Sequence, residues 1–102
     1  MKHTLFIGLN DKDTKQQEID TITAYKTLIR LMTKNGYTGG TISQAEGFYT
    51  HQDGSFITEK MIRVEIIDAD AVKTNNLIND IKVALNQEYV GLQEELIKTR
   101  FM

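Results

Sequence analysis

The hydrophobic and polar positions along this chain change their spacing several times, and each change predicts an element. Residues 4–9 form a short run rich in β-favouring side chains, which predicts a strand. Residues 21–34 carry apolar side chains at helical spacing, with Asp20 or Thr21 available as an N-cap and Asn35-Gly36 as a left-handed stop. The apolar stripe of this first helix consists of Ile22, Tyr25, Leu28, Ile29 and Met32.

A β-hairpin is predicted in the middle of the chain. Two extended runs, residues 41–50 and 56–67, flank the pair Asp53-Gly54. This pair is typical of a two-residue turn, because a type I′ turn needs positive φ at both central positions. The hairpin therefore supplies the second and third strands.

A second helix and a last strand follow the hairpin. Asp68 or Asp70 can cap the helix. Its predicted buried stripe consists of Val72, Leu77, Ile78, Ile81, Ala84 and Leu85. Residues 88–99 are ambiguous, since part of the segment suits a helix, but alternation favours a strand. That alternation involves Val90, Leu92 and Leu96.

The predicted order is βαββαβ in a single domain over residues 1–102. Right-handed crossovers place both helices on one face of a four-stranded antiparallel sheet, with the first and third strands in the centre. This is the ferredoxin-like α+β sandwich. Many unrelated functions use this fold, so the fold alone assigns none of them.

The predicted turn also fixes a register for the hairpin, in which Gln52 faces Ser55 and Ile42 faces Glu65. One face then carries small residues of the second strand opposite aliphatic residues of the third, and is the expected core face. Its members are Thr41, Ser43, Ala45, Gly47, Ile62, Val64 and Ile66. The other face is uncovered by helices, and its members are Ile42, Gln44, Glu46, Phe48, Glu59, Met61, Arg63 and Glu65.

This predicted open face mixes large apolar side chains with paired charges. Such a mixture is typical of an interaction surface, either a homodimer interface or a pocket between two sheets. The alternative is a solvated sheet face with scattered apolar residues. Glu46, Glu59, Arg63 and Glu65 could perform acid–base chemistry, but cross-strand charge pairing is the favoured explanation. No nucleophile accompanies them, so no residue is assigned a catalytic role.

Composition excludes several classes of protein. The chain has 102 residues, a formal charge of −2 and no cysteine, which excludes disulfides, thiolate metal sites and cysteine nucleophiles. No apolar run is long enough to cross a bilayer, and no signal peptide is recognised, so a cytoplasmic protein is expected. The only histidines, His3 and His51, are predicted to be solvated and far apart. Neither a metal site nor a cofactor is predicted.

Two further motifs favour structural roles. Gly36, Gly39 and Gly40 could present amides to a phosphate, but they precede a strand, so a helix stop and strand entry is favoured. Residues 5–9 resemble the first-strand motif of RNA-recognition domains. The third strand lacks the aromatic residues such domains use for base stacking, and the chain is acidic, which disfavours nucleic-acid binding.

Most of the chain resembles a family of short bacterial domains of unknown function. The motifs are a first strand ending in Gly8-Leu9, a Gly47-Phe48-Tyr49 segment before Asp53-Gly54, Glu59, and Asn86-Gln87-Glu88-Tyr89-Val90. The resemblance implies the ferredoxin-like fold and supplies no activity.

A looser resemblance is to the PII-like signalling proteins. It rests on Gly39-Gly40-Thr41 before the second strand and Ile66-Ile67-Asp68 at the end of the third. It implies a trimer that binds nucleotides in clefts between subunits.

The sequence therefore favours a small non-enzymatic binding or regulatory domain that forms a homodimer or binds a protein partner through its open face. A phage or mobile-element inhibitor would suit such a chain. Two alternatives stay open. One is a PII-like nucleotide sensor, and the other is a dimeric ferredoxin-like enzyme with its site on the open face.

Overall fold

The computed structural model describes residues 1–50 and 52–102, and the elements follow the order βαββαβ. They are β1 (Lys2–Gly8), α1 (Thr21–Lys34), β2 (Thr41–Thr50), β3 (Phe56–Ile66), α2 (Ala71–Ala84) and β4 (Gly91–Glu95). The strands form one antiparallel sheet in the order β2-β3-β1-β4, so the first and third strands are central. The predicted ferredoxin-like α+β fold is confirmed.

Both helices begin at an aspartate, because its carboxylate satisfies a backbone N–H that the first turn leaves unpaired. Asp20 Oδ1 accepts a hydrogen bond from the Thr23 N–H at 2.8 Å, and Asp70 Oδ1 accepts one from the Lys73 N–H at 2.9 Å. After α1 the chain turns at Gly36, whose φ of +87° lies in the left-handed region. Of the two caps proposed for the second helix, Asp70 is therefore the one used.

The core lies between the two helices and one face of the sheet. Its most deeply buried aliphatic side chains come from both layers, and they are Leu5, Ile7, Leu28, Ile62, Val64, Leu77 and Ile81. The predicted stripes are too wide in places, since Ile22 and Val72 are 70% and 68% exposed. Leu96, expected in the last strand, follows β4 and is 85% exposed.

The predicted hairpin register is wrong by one residue. Ile42 pairs with Val64 rather than Glu65, and the last pair joins Thr50 to Phe56. The connection between β2 and β3 is therefore longer than the two residues predicted. Asp53 does make a turn, but its Oδ1 accepts hydrogen bonds from the backbone N–H and hydroxyl of Ser55, as in a longer loop.

A slip of one residue moves the whole β2 set to the other face, because side chains alternate along a strand. Four residues predicted on the open face lie instead on the helix side of the sheet: Ile42, Gln44, Glu46 and Phe48. The residues predicted for the core from β2 lie on the opposite side: Thr41, Ser43, Ala45 and Gly47. The β3 assignments hold, since Ile62, Val64 and Ile66 are buried in the core.

The prediction that His3 is solvated is also wrong. His3 is 2% exposed, and its Nδ1 lies 2.8 Å from Thr74 Oγ1 on α2. Thr74 Oγ1 lies in turn 2.6 Å from the Tyr37 hydroxyl, which donates to the Asp70 carbonyl at 3.0 Å. His51 lies outside the described residues.

Within residues 1–50 and 52–102, neither helix has the length and apolar character needed to cross a membrane.

Candidate functional site

Every strand residue of the buried core points to the same side of the sheet, which leaves a second face without core residues. We call this side the bare face. On the two central strands it alternates with the core positions, since Phe6 pairs with Arg63 and Gly8 with Met61. Its members on β1, β2 and β3 are Lys2, Thr4, Phe6, Gly8, Thr41, Ser43, Ala45, Gly47, Tyr49, Ile57, Glu59, Met61, Arg63 and Glu65.

The carboxylate of Glu59 lies directly over the backbone of β1 at Gly8. A Cβ at position 8 would meet both carboxylate oxygens, at 2.6 Å from Oε2 and 2.7 Å from Oε1. The Asn10 N–H donates a hydrogen bond to Glu59 Oε2 at 2.9 Å and holds the group there. The absent side chain of Gly8 thus creates the space that the carboxylate occupies.

Met61 uses a second glycine in the same way. Its Sδ lies 2.6 Å from the place where a Cβ on Gly47 would be. Each glycine therefore allows a side chain of β3 to lie against the sheet. Neither Gly8 nor Gly47 can be replaced by a larger residue without moving that side chain.

Glu59 and Met61 line a pocket of about 170 Å³ at the end of β1. Three aromatic residues contribute to its walls: Phe6 from β1, Tyr49 from β2 and Tyr89 from the α2–β4 connection. Aromatic faces attract cations, and a carboxylate does so more strongly. The arrangement is suited to a flat ligand that carries a positive charge.

A loop over residues 10–17 forms one rim of this pocket. It is fixed to the residues after α2, since the Lys12 N–H donates to the Asn86 carbonyl at 3.0 Å and Gln87 Nε2 donates to the Asn10 carbonyl at 2.8 Å. Asn86 Nδ2 also donates to Asp11 Oδ1 at 2.8 Å, and this hydrogen bond is the main reason why the pKa of Asp11 lies below its usual value. The rim is therefore held in place from two sides.

At the opposite end of the bare face, Glu65 accepts two charged donors. Its Oε1 lies 3.0 Å from Lys2 Nζ and 3.0 Å from Arg63 Nη2. The Lys2 hydrogen bond is the largest cause that lowers the pKa of Glu65, followed by that of Arg63. This cluster is a set of cross-strand ion pairs and does not line the Glu59 pocket.

The structure thus divides the residues predicted as a site. Only Glu59 and Met61 meet in the pocket, while Arg63 and Glu65 lie further along the bare face. Sequence reasoning missed Gly8, Asn10 and the two pocket tyrosines. A signal was present in Gly8-Leu9-Asn10, where a strand ends in glycine followed by a turn-forming residue.

Two larger grooves, of about 640 and 560 Å³, adjoin residues 36–40 at the other end of the molecule. The first is mostly apolar and lies between α1 and the edge strand β2, near Tyr25 and Ile42. The second includes Glu65 and Asp68 in its lining, and the Glu65 carboxylate is already paired with Lys2 and Arg63. Within the described part of the chain, no group of three or more potential ligands could hold a metal ion.

The chain's sequence matches no family profile, and no curated protein is detectably similar to it. Solved structures do share its fold. A phage SAM lyase in complex with S-methyl-5′-thioadenosine superposes with a TM-score of 0.63 and 24% identity, over 91% of this chain and 79% of that one.

Two other solved structures are similar at lower identity. The GlnK–ATP complex of B. subtilis has a TM-score of 0.60 and 14% identity, over 93% of this chain and 83% of that one. The periplasmic divalent cation tolerance protein CutA of Archaeoglobus fulgidus has a TM-score of 0.61 and 14% identity, over 99% of this chain and 88% of that one. At these identities the similarity establishes the fold.

Proposed function

We propose that this chain binds S-adenosylmethionine in the pocket around Glu59 and cleaves it to S-methyl-5′-thioadenosine. The observation that carries the proposal is the Glu59 carboxylate, which is fixed over Gly8 by the Asn10 N–H among three aromatic side chains. A sulfonium is a permanent cation without hydrogen-bond donors. It is recognised by a carboxylate and by aromatic faces.

Two of the similar structures support an adenosine ligand. One contains S-methyl-5′-thioadenosine and is named a SAM lyase, and another contains ATP. In direct contact with the Glu59 carboxylate, a sulfonium is favoured over a phosphate of ATP, because a carboxylate attracts a cation and repels a phosphate.

The cleavage of S-adenosylmethionine needs no nucleophile or base from the protein. The bond that breaks joins the sulfonium sulfur to the four-carbon amino-acid chain of the ligand, and its electron pair stays on sulfur to give the neutral thioether. The carboxylate of the same chain takes the vacated bond on carbon and closes a five-membered ring, so atoms and charge balance without water or a base. Because one positive and one negative charge disappear together, contact of the reacting groups with the apolar side chains of Phe6 and Met61 would favour the step.

Glu59 is then a binding residue that positions the sulfonium. We expect wild-type protein to bind S-adenosylmethionine more tightly than S-adenosylhomocysteine, which lacks the S-methyl group and therefore the positive charge on sulfur. Glu59→Gln should remove this preference, whereas Glu46→Gln, on the other side of the sheet, should keep it. Calorimetry measures the affinities, and chromatography of the products measures S-methyl-5′-thioadenosine release.

The outcomes are distinct. Absence of binding by the wild type would refute the whole proposal. Binding without product would refute the cleavage reaction and support the non-enzymatic, cytoplasmic binding domain that the sequence predicts. Tight binding of ATP in place of S-adenosylmethionine would support the PII-like sensor instead.

We further propose that a second copy of the chain completes the pocket. At about 170 Å³ the pocket is smaller than the 300–1,000 Å³ typical of small-molecule sites, so one chain encloses only part of a nucleoside. The bare face beside it, which includes Met61, Arg63 and Glu65, is the surface proposed to meet the partner. This retains the β3 half of the interface expected from the sequence.

Light scattering tests this arrangement with two variants. Met61→Asp places a charge on the bare face and should shift the protein toward monomer, whereas Phe48→Ser, on the helix side, should leave the oligomer intact. A wild type that stays monomeric at high concentration would contradict the proposal. So would a Phe48→Ser variant that dissociates while Met61→Asp does not.

A further inference from the structure

The rim of the Glu59 pocket carries charges of both signs, since Asp11 and Glu88 line it as well as two lysines. Lys12 and Lys15 both line the pocket, and both belong to the loop over residues 10–17. Lys15 Nζ donates to the Lys12 carbonyl at 2.6 Å, while none of the ion pairs among the described residues uses Lys12. The pocket therefore has a carboxylate at its floor, and its edge carries two ammonium groups together with the carboxylates of Asp11 and Glu88. The Asp11 carboxylate already accepts a hydrogen bond from Asn86, which leaves the Lys12 ammonium as a donor for a ligand.

The backbone that presents these lysines is held in an unfavourable conformation. The non-glycine residues with positive φ in the described chain are Lys15, at +63°, and Asn86, at +48°, and they lie on the two sides of the contact that fixes the loop. Lys15 persists in this conformation because the surrounding structure imposes it, whereas Asn86 follows the C-cap of α2, where asparagine adopts positive φ readily. The loop is held by the hydrogen bonds that Asn86 and Gln87 make with residues 10–13.

We propose that Lys12, supported by Lys15, binds the carboxylate of the ligand's amino-acid chain, so that the pocket selects a ligand with separated positive and negative charges. This inference rests on the proposed function and specifies its substrate class. It assigns recognition of the sulfonium to Glu59 and recognition of the anionic end to the loop. The neutral product S-methyl-5′-thioadenosine carries neither charge and would be held by stacking alone.

Three ligands separate these contributions. Of the sulfonium and the carboxylate, S-adenosylmethionine has both, S-adenosylhomocysteine has only the carboxylate, and S-methyl-5′-thioadenosine has neither. The α-ammonium group is common to the first two ligands. Lys12→Met keeps the length of the side chain and the backbone N–H that donates to Asn86, and removes the charge. The matched control is Lys26→Met at an exposed position of α1.

Calorimetry should find S-adenosylhomocysteine bound roughly tenfold more weakly by Lys12→Met, with affinity for S-methyl-5′-thioadenosine unchanged, as expected for loss of one charged hydrogen bond. Lys26→Met should change neither affinity. The preference of wild type for S-adenosylhomocysteine over the product should also decrease with added salt.

Each result has one meaning. If the wild type binds S-adenosylhomocysteine and Lys12→Met retains that affinity, the role of Lys12 is wrong while the proposed function stands. If Lys12→Met lowers the affinity for all three ligands equally, the lysine stabilises the loop and does not bind the carboxylate. If the wild type binds none of the three, the proposed function fails first.

Discussion

The two faces of this sheet are built from the same strands, yet they place opposite demands on their side chains. On the covered face, Leu5, Ile7 and Ile62 are fully buried and fill the space beneath the helices. On the bare face, the alternate positions include Gly8 and Gly47. Because these residues have no side chain, Glu59 and Met61 can lie flat against the sheet. Adjacent residues of one strand therefore separate stability from the recognition that we propose.

The largest expected effect contrasts adjacent residues of β3. Ile62→Ala should lower the free energy of unfolding by about 2–5 kcal/mol, because it leaves a cavity in the core. Met61→Ala, on the half-buried bare face, should cost about 1 kcal/mol or less. Urea unfolding at one protein concentration measures both, and equal losses would mean that the bare face is as tightly packed as the core.

The buried polar chain from His3 to Tyr37 should have the next largest effect. Thr74→Val keeps the shape of the side chain but leaves His3 Nδ1 without its partner, at a cost of roughly 1–3 kcal/mol. Thr58→Val, at an exposed position of β3, is the control and should change stability by less than about 0.5 kcal/mol. Thermal unfolding compares them. A neutral Thr74→Val would show that the hydrogen bonds add nothing to stability.

A smaller effect on stability but a large one on binding is expected from Gly8→Ala. The new Cβ would displace the Glu59 carboxylate, which is the far end of a flexible side chain, so unfolding should change by less than about 1 kcal/mol. Affinity for S-adenosylmethionine should decrease by about tenfold or more. Gly39→Ala is the control, since no atom lies within 4 Å of its added Cβ. If Gly8→Ala binds S-adenosylmethionine with unaltered affinity, Glu59 does not contact the ligand.

The smallest expected effect is acid sensitivity at the ion-pair end of the bare face. Because hydrogen bonds from Lys2 and Arg63 lower the pKa of Glu65 in the folded protein, the unfolded chain binds the proton more readily. The resulting stabilisation is complete above the ordinary glutamate pKa and is lost as pH falls through the lowered folded value.

The measurement for Glu65 is the urea midpoint at pH 6 and pH 3 for wild type, Glu65→Gln and the exposed control Glu46→Gln. The decrease between the two pH values should be smaller in Glu65→Gln than in wild type, and unchanged in Glu46→Gln. A wild-type decrease no larger than that of Glu65→Gln would contradict the assignment.

Local signals in the sequence were sufficient for most of the fold. The first helix occupies the predicted residues 21–34, since an aspartate cap and a glycine stop define both ends. The bounds of β2 are also as predicted. Strand β1 begins at Lys2, two residues before its predicted start, because pairing with β3 and β4 extends it beyond the β-favouring run.

The site was less predictable because it depends on register and on contacts between distant segments. Asp53-Gly54 suggested a two-residue turn, and this assumption placed the β2 residues on the wrong face. The partners of Glu59 could not be inferred from local patterns, since Gly8 and Asn10 lie about fifty positions away and meet it only through the β1–β3 pairing. The loop that carries Lys12 looked like an ordinary polar connection, and its fixation by Asn86 is a tertiary feature.

Because the Glu59 carboxylate occupies the space that a β-carbon at position 8 would fill, the two positions should be linked in evolution. In descendants of a common ancestor, positions 8 and 59 should covary: any lineage that acquires a β-carbon at the first should lose the acid at the second. An alignment deep enough to resolve that correlation would reveal which lineages kept the recognition site and which kept only the scaffold.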